Sequence, residues 1–144
     1  MAEAVTGHLL RHATCVALDG QGLLIEGPAG AGKSSLALRL MALGAALVAD
    51  DQVLLRRSGA GLTAEAPSGL PKAIEARGLG LLNADLAGPV PLTLVVNLAQ
   101  AEPERLPPWR LITLLGCAIP LVLGRDTPHL AAGLMQSLRK GRFA

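Results

Sequence analysis

Apolar and polar positions recur along this chain in two periods, and each period predicts a different element. "HATCVALDGQGLLIEG" places short apolar runs on either side of Asp19-Gly20. Both turn residues tolerate positive φ, so a hairpin is predicted, with its second strand over about Gly22–Glu26. "KSSLALRLMALG" changes to helical spacing, with Leu36, Leu40 and Leu43 on one face and Gly44 as the stop. "AALVAD" returns to a buried strand that runs into two acids, Asp50 and Asp51. "QVLLRR" and "LTAEA", joined by "SGAG", predict a second hairpin, and residues 67–71 predict a loop. "PKAIEARGLGLLNADL" is mixed: an apolar-charged opening, then turns flanked by glycine. "PLTLVVNL" is a buried strand, "AEPERLPPW" a proline-rich connection, and "LITLLGCAIPLVLG" one or two short strands. The last stretch, about Thr127 to Arg139, is helical, with Thr127 as its cap and Pro128 in its first position.

The 144 residues suit one domain spanning 1–144. Half the chain is hydrophobic, chiefly Leu, Ala and Val, with Trp109 and Phe143 as its aromatics. An aliphatic core favours helices packed on a sheet, hence an α/β class. The scarcity of rings argues against single-stranded nucleic acid as a partner, since bases would have nothing to stack on. A net charge of +2 implies no polyanion, and Arg139, Lys140 and Arg142 read as a solvated helix end. Cys15 and Cys117 lie in apolar stretches without metal-ligand spacing and fit a reducing compartment. "MAEAVTGHLLRHATC" lacks the long apolar run of a secretory leader. Leu111 to Leu123 is broken by Gly116 and Pro120 and falls short of the roughly 20 residues a membrane helix needs. A soluble cytoplasmic protein, with no membrane partner, is therefore expected.

One stretch carries chemistry by itself. "GPAGAGKSS" fits the phosphate-loop pattern Gly-x-x-x-x-Gly-Lys-Ser/Thr. Gly27, Gly30 and Gly32 permit close backbone approach, so successive N–H groups can converge on phosphate oxygens. Together Gly27, Pro28, Ala29, Gly30, Ala31, Gly32, Lys33, Ser34 and Ser35 form the expected nucleotide cradle. Lys33 supplies a mobile charge, Ser34 a hydroxyl for magnesium, and the helix that follows its positive dipole end. The loop also falls between a predicted strand and a predicted helix, as the mechanism requires. One helix and one strand later come Asp50 and Asp51. If that strand is parallel to the one before the loop, both end at the same sheet edge. Adjacent carboxylates there can divide the labour, one supporting a metal and one accepting a proton from an incoming hydroxyl.

Taken together, "HATCVAL", "LLIEGPAGAGKSSLALRLMALGAALVADDQV", "AP", "IEARGLGLLN" and "IPLVLGR" resemble the catalytic domain of the HPr kinase/phosphorylase family, from about His12 to Arg125. The spacing of "VADD" from "GKS" and the later E-x-R-G-x-G stretch carry the likeness. The resemblance implies a P-loop kinase fold related to the nucleotide core of phosphoenolpyruvate carboxykinases, a mixed sheet with flanking helices. It implies an ATP- and Mg2+-dependent kinase for a serine of the phosphocarrier protein HPr. Phosphorolysis, in which phosphate attacks and pyrophosphate leaves, is the second direction. It also implies a homo-oligomer, a hexamer in the family. Position by position, Asp51 is implied as the base, Asp50 as support for metal or loop, Lys33 as the charge in transfer, and Ser34 and Glu75 as magnesium ligands. His12 and Arg125 match active-site positions. The chain departs from the pattern at Ser35 and Asn83, where acids are common, and in the poorly matched "SLRKGRFA" end; with its catalytic stretch beginning almost at Met1, a short form without the family's separate N-terminal domain is expected. Those departures bear on phosphorolysis more than on kinase action. Two other functions compete: a small-molecule kinase or hydrolase, which needs a lid with further arginines, and a nucleotide-sensing module without turnover.

Overall fold

Strand-forming runs and two amphipathic stretches resolve into eleven strands and two helices over residues 7–144, the residues described in the computed structural model. Residues 1–6, the start of the stretch read as lacking a secretory leader's apolar run, lie outside them. The Asp19-Gly20 turn joins β2 (Thr14–Leu18) to β3 (Gln21–Glu26), and Asp19 takes φ 52 and Gly20 φ 74, as the dipeptide predicts. The loop leads into α1 (Lys33–Ala42), and β4 (Ala46–Ala49) delivers the two acids. β5 (Val53–Ser58) and β6 (Gly61–Glu65) form the second predicted hairpin, and β9 (Val90–Asn97) is the long buried strand.

Three features depart from the expected pattern. An additional strand, β1 (His8–Arg11), pairs antiparallel with β5; four residues are too few to display a period. The mixed glycine stretch is a hairpin of its own, β7 (Ala73–Ala76) with β8 (Gly80–Asn83), outside the main sheet. The final apolar run is a hairpin of β10 (Leu111–Leu114) and β11 (Cys117–Leu123), followed by α2 (Leu130–Lys140). That helix starts later than Thr127: the Thr127 carbonyl accepts the Leu130 N–H at 3.3 Å, making a turn, and His129 takes the cap position. At the end of α1, Leu43 is the cap and is exposed, so the buried face is Leu36, Ala37 and Leu40.

The main sheet runs β1-β5-β6-β9-β3-β2-β4. β9 is its branch point. Its first residues pair with β6, its last with β11, and β3 occupies its other side. β3, β9 and β11 are mutually parallel, and β4 points the same way because antiparallel β2 separates it from β3. Four strands therefore end at one edge, where the phosphate loop begins. Alternation along β2 and β3 feeds both faces. Val16, Leu18, Leu23 and Ile25 join a cluster with Leu36, Leu40, Leu134 and Leu138 of the helices. Cys15, Ala17 and Leu24 join Leu55, Leu62 and Ile119 on the opposite side. A sheet covered on both faces holds its strand ends in fixed register, which is what a precise site needs. The proline-rich connection is pinned by Glu102 and Arg110, which share two hydrogen bonds of 2.8 and 2.9 Å. Those bonds hold the Glu102 carboxyl below its ordinary range. Among the described residues no helix is long and apolar enough to cross a membrane.

Burial leaves a measurable mark on Cys15, whose thiol is pushed up to about 12 by desolvation. The thiolate is the reactive form, so at pH 8 a thiol reagent should modify Cys15 only as fast as the chain opens. Mass-resolved labelling with and without urea checks this; rapid modification of the native protein would contradict the packing of β2.

Candidate active site

The loop between β3 and α1 is shaped by its glycines. A Cβ at Gly27 would lie 3.1 Å from the Ala31 Cβ and 3.2 Å from the Leu98 Cβ, close enough that these neighbours would have to shift by a few tenths of an ångström, and its φ is 153. The Ala31 N–H donates to the Pro28 carbonyl at 3.0 Å, closing the turn. Gly32 then adopts φ 97 at the helix cap, and the first helical bond runs from the Leu36 N–H to the Gly32 carbonyl at 2.9 Å. No side chain caps this end, so the first-turn N–H groups stay available to an anion. Lys33 is buried, and its ammonium donates to the Gly27 and Pro28 carbonyls at 2.8 and 3.1 Å. An ammonium has three protons, so one remains for a phosphate oxygen.

Asp50 gathers three segments. Its Oδ1 accepts the Ser34 hydroxyl at 2.8 Å and the Thr14 hydroxyl at 2.9 Å, and its Oδ2 accepts the Glu75 N–H at 3.1 Å. α1, β2 and β7 are thus joined through one carboxylate. Ser34 keeps its lone pairs free for a cation, because its proton is spent on Asp50. The next residue turns away. Asp51 has φ 72, and the Gln52 N–H donates to the Asp50 carbonyl at 2.9 Å across it, a three-residue turn of the strained kind. That turn directs Asp51 to His12, whose Nε2 is 2.7 Å from the Asp51 Oδ1. Both side chains are largely exposed, so the pair adds little to stability; its effect is to orient a carboxylate at the rim.

A cavity of about 330 Å³ brings most of these groups together. His12, Lys33, Ser34, Asp51 and Glu75 line it with Ala29, Gly30, Gly32 and Ser35. Asp50 stands behind, touching the cavity through Ser34. Arg125 is not brought in: it lies on the other flank of the loop, beside Ala31, Ser35 and Arg39, and donates to the Ala99 carbonyl at 2.8 Å. Two further residues border the cavity that sequence reasoning did not place there, Thr14 and Arg77. Arg77 opens the turn that follows β7, directly after the strand that carries Glu75. Arg77 has no hydrogen-bond or ion-pair partner among the described residues. No three acidic, His or Cys side chains among those residues form a metal cage. Ser34 and Glu75 nonetheless suit a hard cation that takes its other oxygens from phosphate and water.

Fold and site define a phosphate-loop α/β domain with an acid pair at the strand edge. Residues 3–104 match the HPr Serine kinase C-terminal domain, and the chain belongs to that family. It is 34% identical to the HPr kinase/phosphorylase of Aromatoleum aromaticum over 145 residues, 88% of this chain and 46% of that protein. It is 40% identical to the HPr kinase/phosphorylase of Bordetella pertussis over 108 residues, 67% of this chain and 35% of that protein. The chain thus spans less than half the length of these relatives. Among solved structures, the Hpr(Ser) kinase/phosphatase from Coxiella burnetii superposes with a TM-score of 0.75 at 26% identity, covering 92% of this chain and 94% of that one. The α/β mixed sheet with flanking helices expected from the sequence is what that match displays.

Replacing Asp50 by Ala removes three acceptor contacts and strands the buried Thr14 hydroxyl. Stability should fall by about 2 kcal/mol, the cost of unpaired buried polar groups. Urea unfolding followed by circular dichroism measures it, and an unchanged midpoint would mean that Asp50 ties nothing together.

Proposed function

We propose that this domain transfers the terminal phosphoryl group of ATP, with Mg2+, to a serine of HPr or a related phosphocarrier. One observation carries the proposal: Asp51, held by His12 at 2.7 Å, shares a cavity with Lys33 and Ser34 of the phosphate loop. A proton acceptor and a phosphate cradle are then within one substrate's reach. The names of the relatives agree with such chemistry.

In the forward direction the seryl Oγ–H gives its proton to the Asp51 carboxylate. The seryl oxygen attacks the γ-phosphorus, the bond from that phosphorus to the β,γ-bridging oxygen breaks, and ADP leaves. His12 keeps the Asp51 oxygen aimed. The loop N–H groups and Lys33 hold the non-bridging oxygens, and Arg77, from the β7–β8 hairpin, adds a second cation to the same cavity. Ser34 and Glu75 would hold Mg2+, which supplies charge neutralisation between the phosphates when bound. In phosphorolysis an oxygen of inorganic phosphate attacks the phosphoserine phosphorus, the bond from that phosphorus to the seryl oxygen breaks, Asp51 gives its proton to the departing seryl oxygen, and the pyrophosphate formed is released. Arg125 fits a supporting role on the nucleotide's other flank. The chain would work in the cytoplasm as a homo-oligomer.

The test is incubation of the purified full chain with γ-labelled ATP, Mg2+ and purified HPr. Label on the carrier's serine is expected. Label in free phosphate or a small molecule, or tight nucleotide binding with no transfer, would sink the proposal. Asp51→Asn should slow transfer roughly 10²- to 10⁴-fold with nucleotide binding retained, as loss of a general base does. Arg77→Ala should cost on the order of 10²-fold, the scale of one lost transition-state donor, and Arg125→Ala distinctly less. The reverse order would return Arg125 to the centre of the reaction.

A further inference from the structure

Thr14 has no part in the steps above, yet it is the wholly buried polar side chain at the start of β2, and it borders the phosphate cavity. Its hydroxyl and that of Ser34 converge on the same Asp50 oxygen, at 2.9 and 2.8 Å. Two donors fill the two lone pairs of that oxygen. The other oxygen is engaged by the Glu75 N–H at 3.1 Å. Asp50 cannot rotate without stranding a buried hydroxyl, and Ser34 cannot change rotamer without losing its acceptor.

We propose that Thr14 is a positioning residue for the cation: acting through Asp50, it fixes the Ser34 hydroxyl with its proton inward and its lone pairs available to Mg2+. This rests on Ser34 being a magnesium ligand, as proposed above. Outer hydrogen bonds of this sort orient a ligand that carries little charge of its own, and a serine hydroxyl is such a ligand. A Thr that merely filled space between β2 and α1 would need no donor.

Thr14→Val keeps the volume and deletes the hydroxyl; Thr14→Ala deletes it with a smaller side chain, in case the Val variant misfolds. Calorimetric titration of the full chain with ADP, once with Mg2+ and once in EDTA, separates the two roles. We expect Thr14→Val to weaken Mg2+-dependent ADP binding on the order of 10-fold, the scale of outer-shell substitutions, with binding in EDTA unchanged. Thr14→Ser should restore the wild-type value. Manganese bound in place of magnesium gives a spectroscopic check, since its paramagnetic resonance signal should show a weaker site. Equal losses with and without the cation, no loss in either, or failure of Thr14→Ser to rescue would overturn the proposal. A wild-type chain whose ADP affinity ignores Mg2+ would instead remove the cation from Ser34, and with it the metal part of the proposed function. Label transfer to HPr is measured separately from both.

Discussion

The site depends on a single carboxylate receiving three donors from segments that are distant in sequence. Thr14, Ser34 and the Glu75 backbone all meet Asp50. A buried hydroxyl without a partner is costly, and a half-buried carboxylate is helped by each donor it receives, so each group stabilises the presence of the others. That mutual requirement fixes where the β7–β8 hairpin stands. The hairpin has no pairing with the main sheet, yet Glu75 and Arg77 reach the cavity. Ile74, buried in the cluster with α1, provides the apolar half of the same attachment.

Neighbouring residues of identical chemistry therefore end in different roles. Asp50 faces inward and is consumed by structure. Asp51, one residue on, is turned out by a left-handed backbone that a non-glycine residue adopts only at some cost. Its remaining contact is an exposed histidine, which orients it without burying it. The strand supplies the position, the turn reverses the direction, and environment rather than residue type sets what each carboxylate can do.

What the sequence disclosed follows the range of the interactions involved. The phosphate loop was legible because its geometry is local: glycines, a lysine and a helix start within nine residues. The acid pair was legible because parallel strands end together, and β4 does run parallel to β3. Longer-range placement was not. β1 owes its existence to pairing with β5, and its four residues carry no period of their own. Thr14 looks like any strand threonine until Asp50 is folded against it. Arg77 looks like a surface charge until its hairpin is anchored. Arg125 follows β11 at the correct sheet edge, but two strands, β9 and β3, separate β11 from β2, and the Ala99 carbonyl holds Arg125 on the far flank. Sequence gave the edge for that residue; lateral order along the edge came only from the sheet topology.

Charge along the cavity wall completes the picture. Lys33 and Arg77 contribute two positive side chains, and Asp51 and Glu75 two negative ones. Their formal charges cancel. A triphosphate brought to such a wall meets as many negative side chains as positive ones, so Lys33 and Arg77 act on it locally rather than through a net charge. The oriented N–H groups of the loop, the start of α1, and a cation that arrives with the nucleotide then add to what Lys33 contributes. The backbone path that presents those N–H groups runs close against Ala31 and Leu98 at Gly27. The charge balance explains why the hydroxyl of Ser34 has to be held in one orientation. In a cavity whose charges sum to zero, the direction of each neutral dipole decides whether phosphate and cation are bound or repelled.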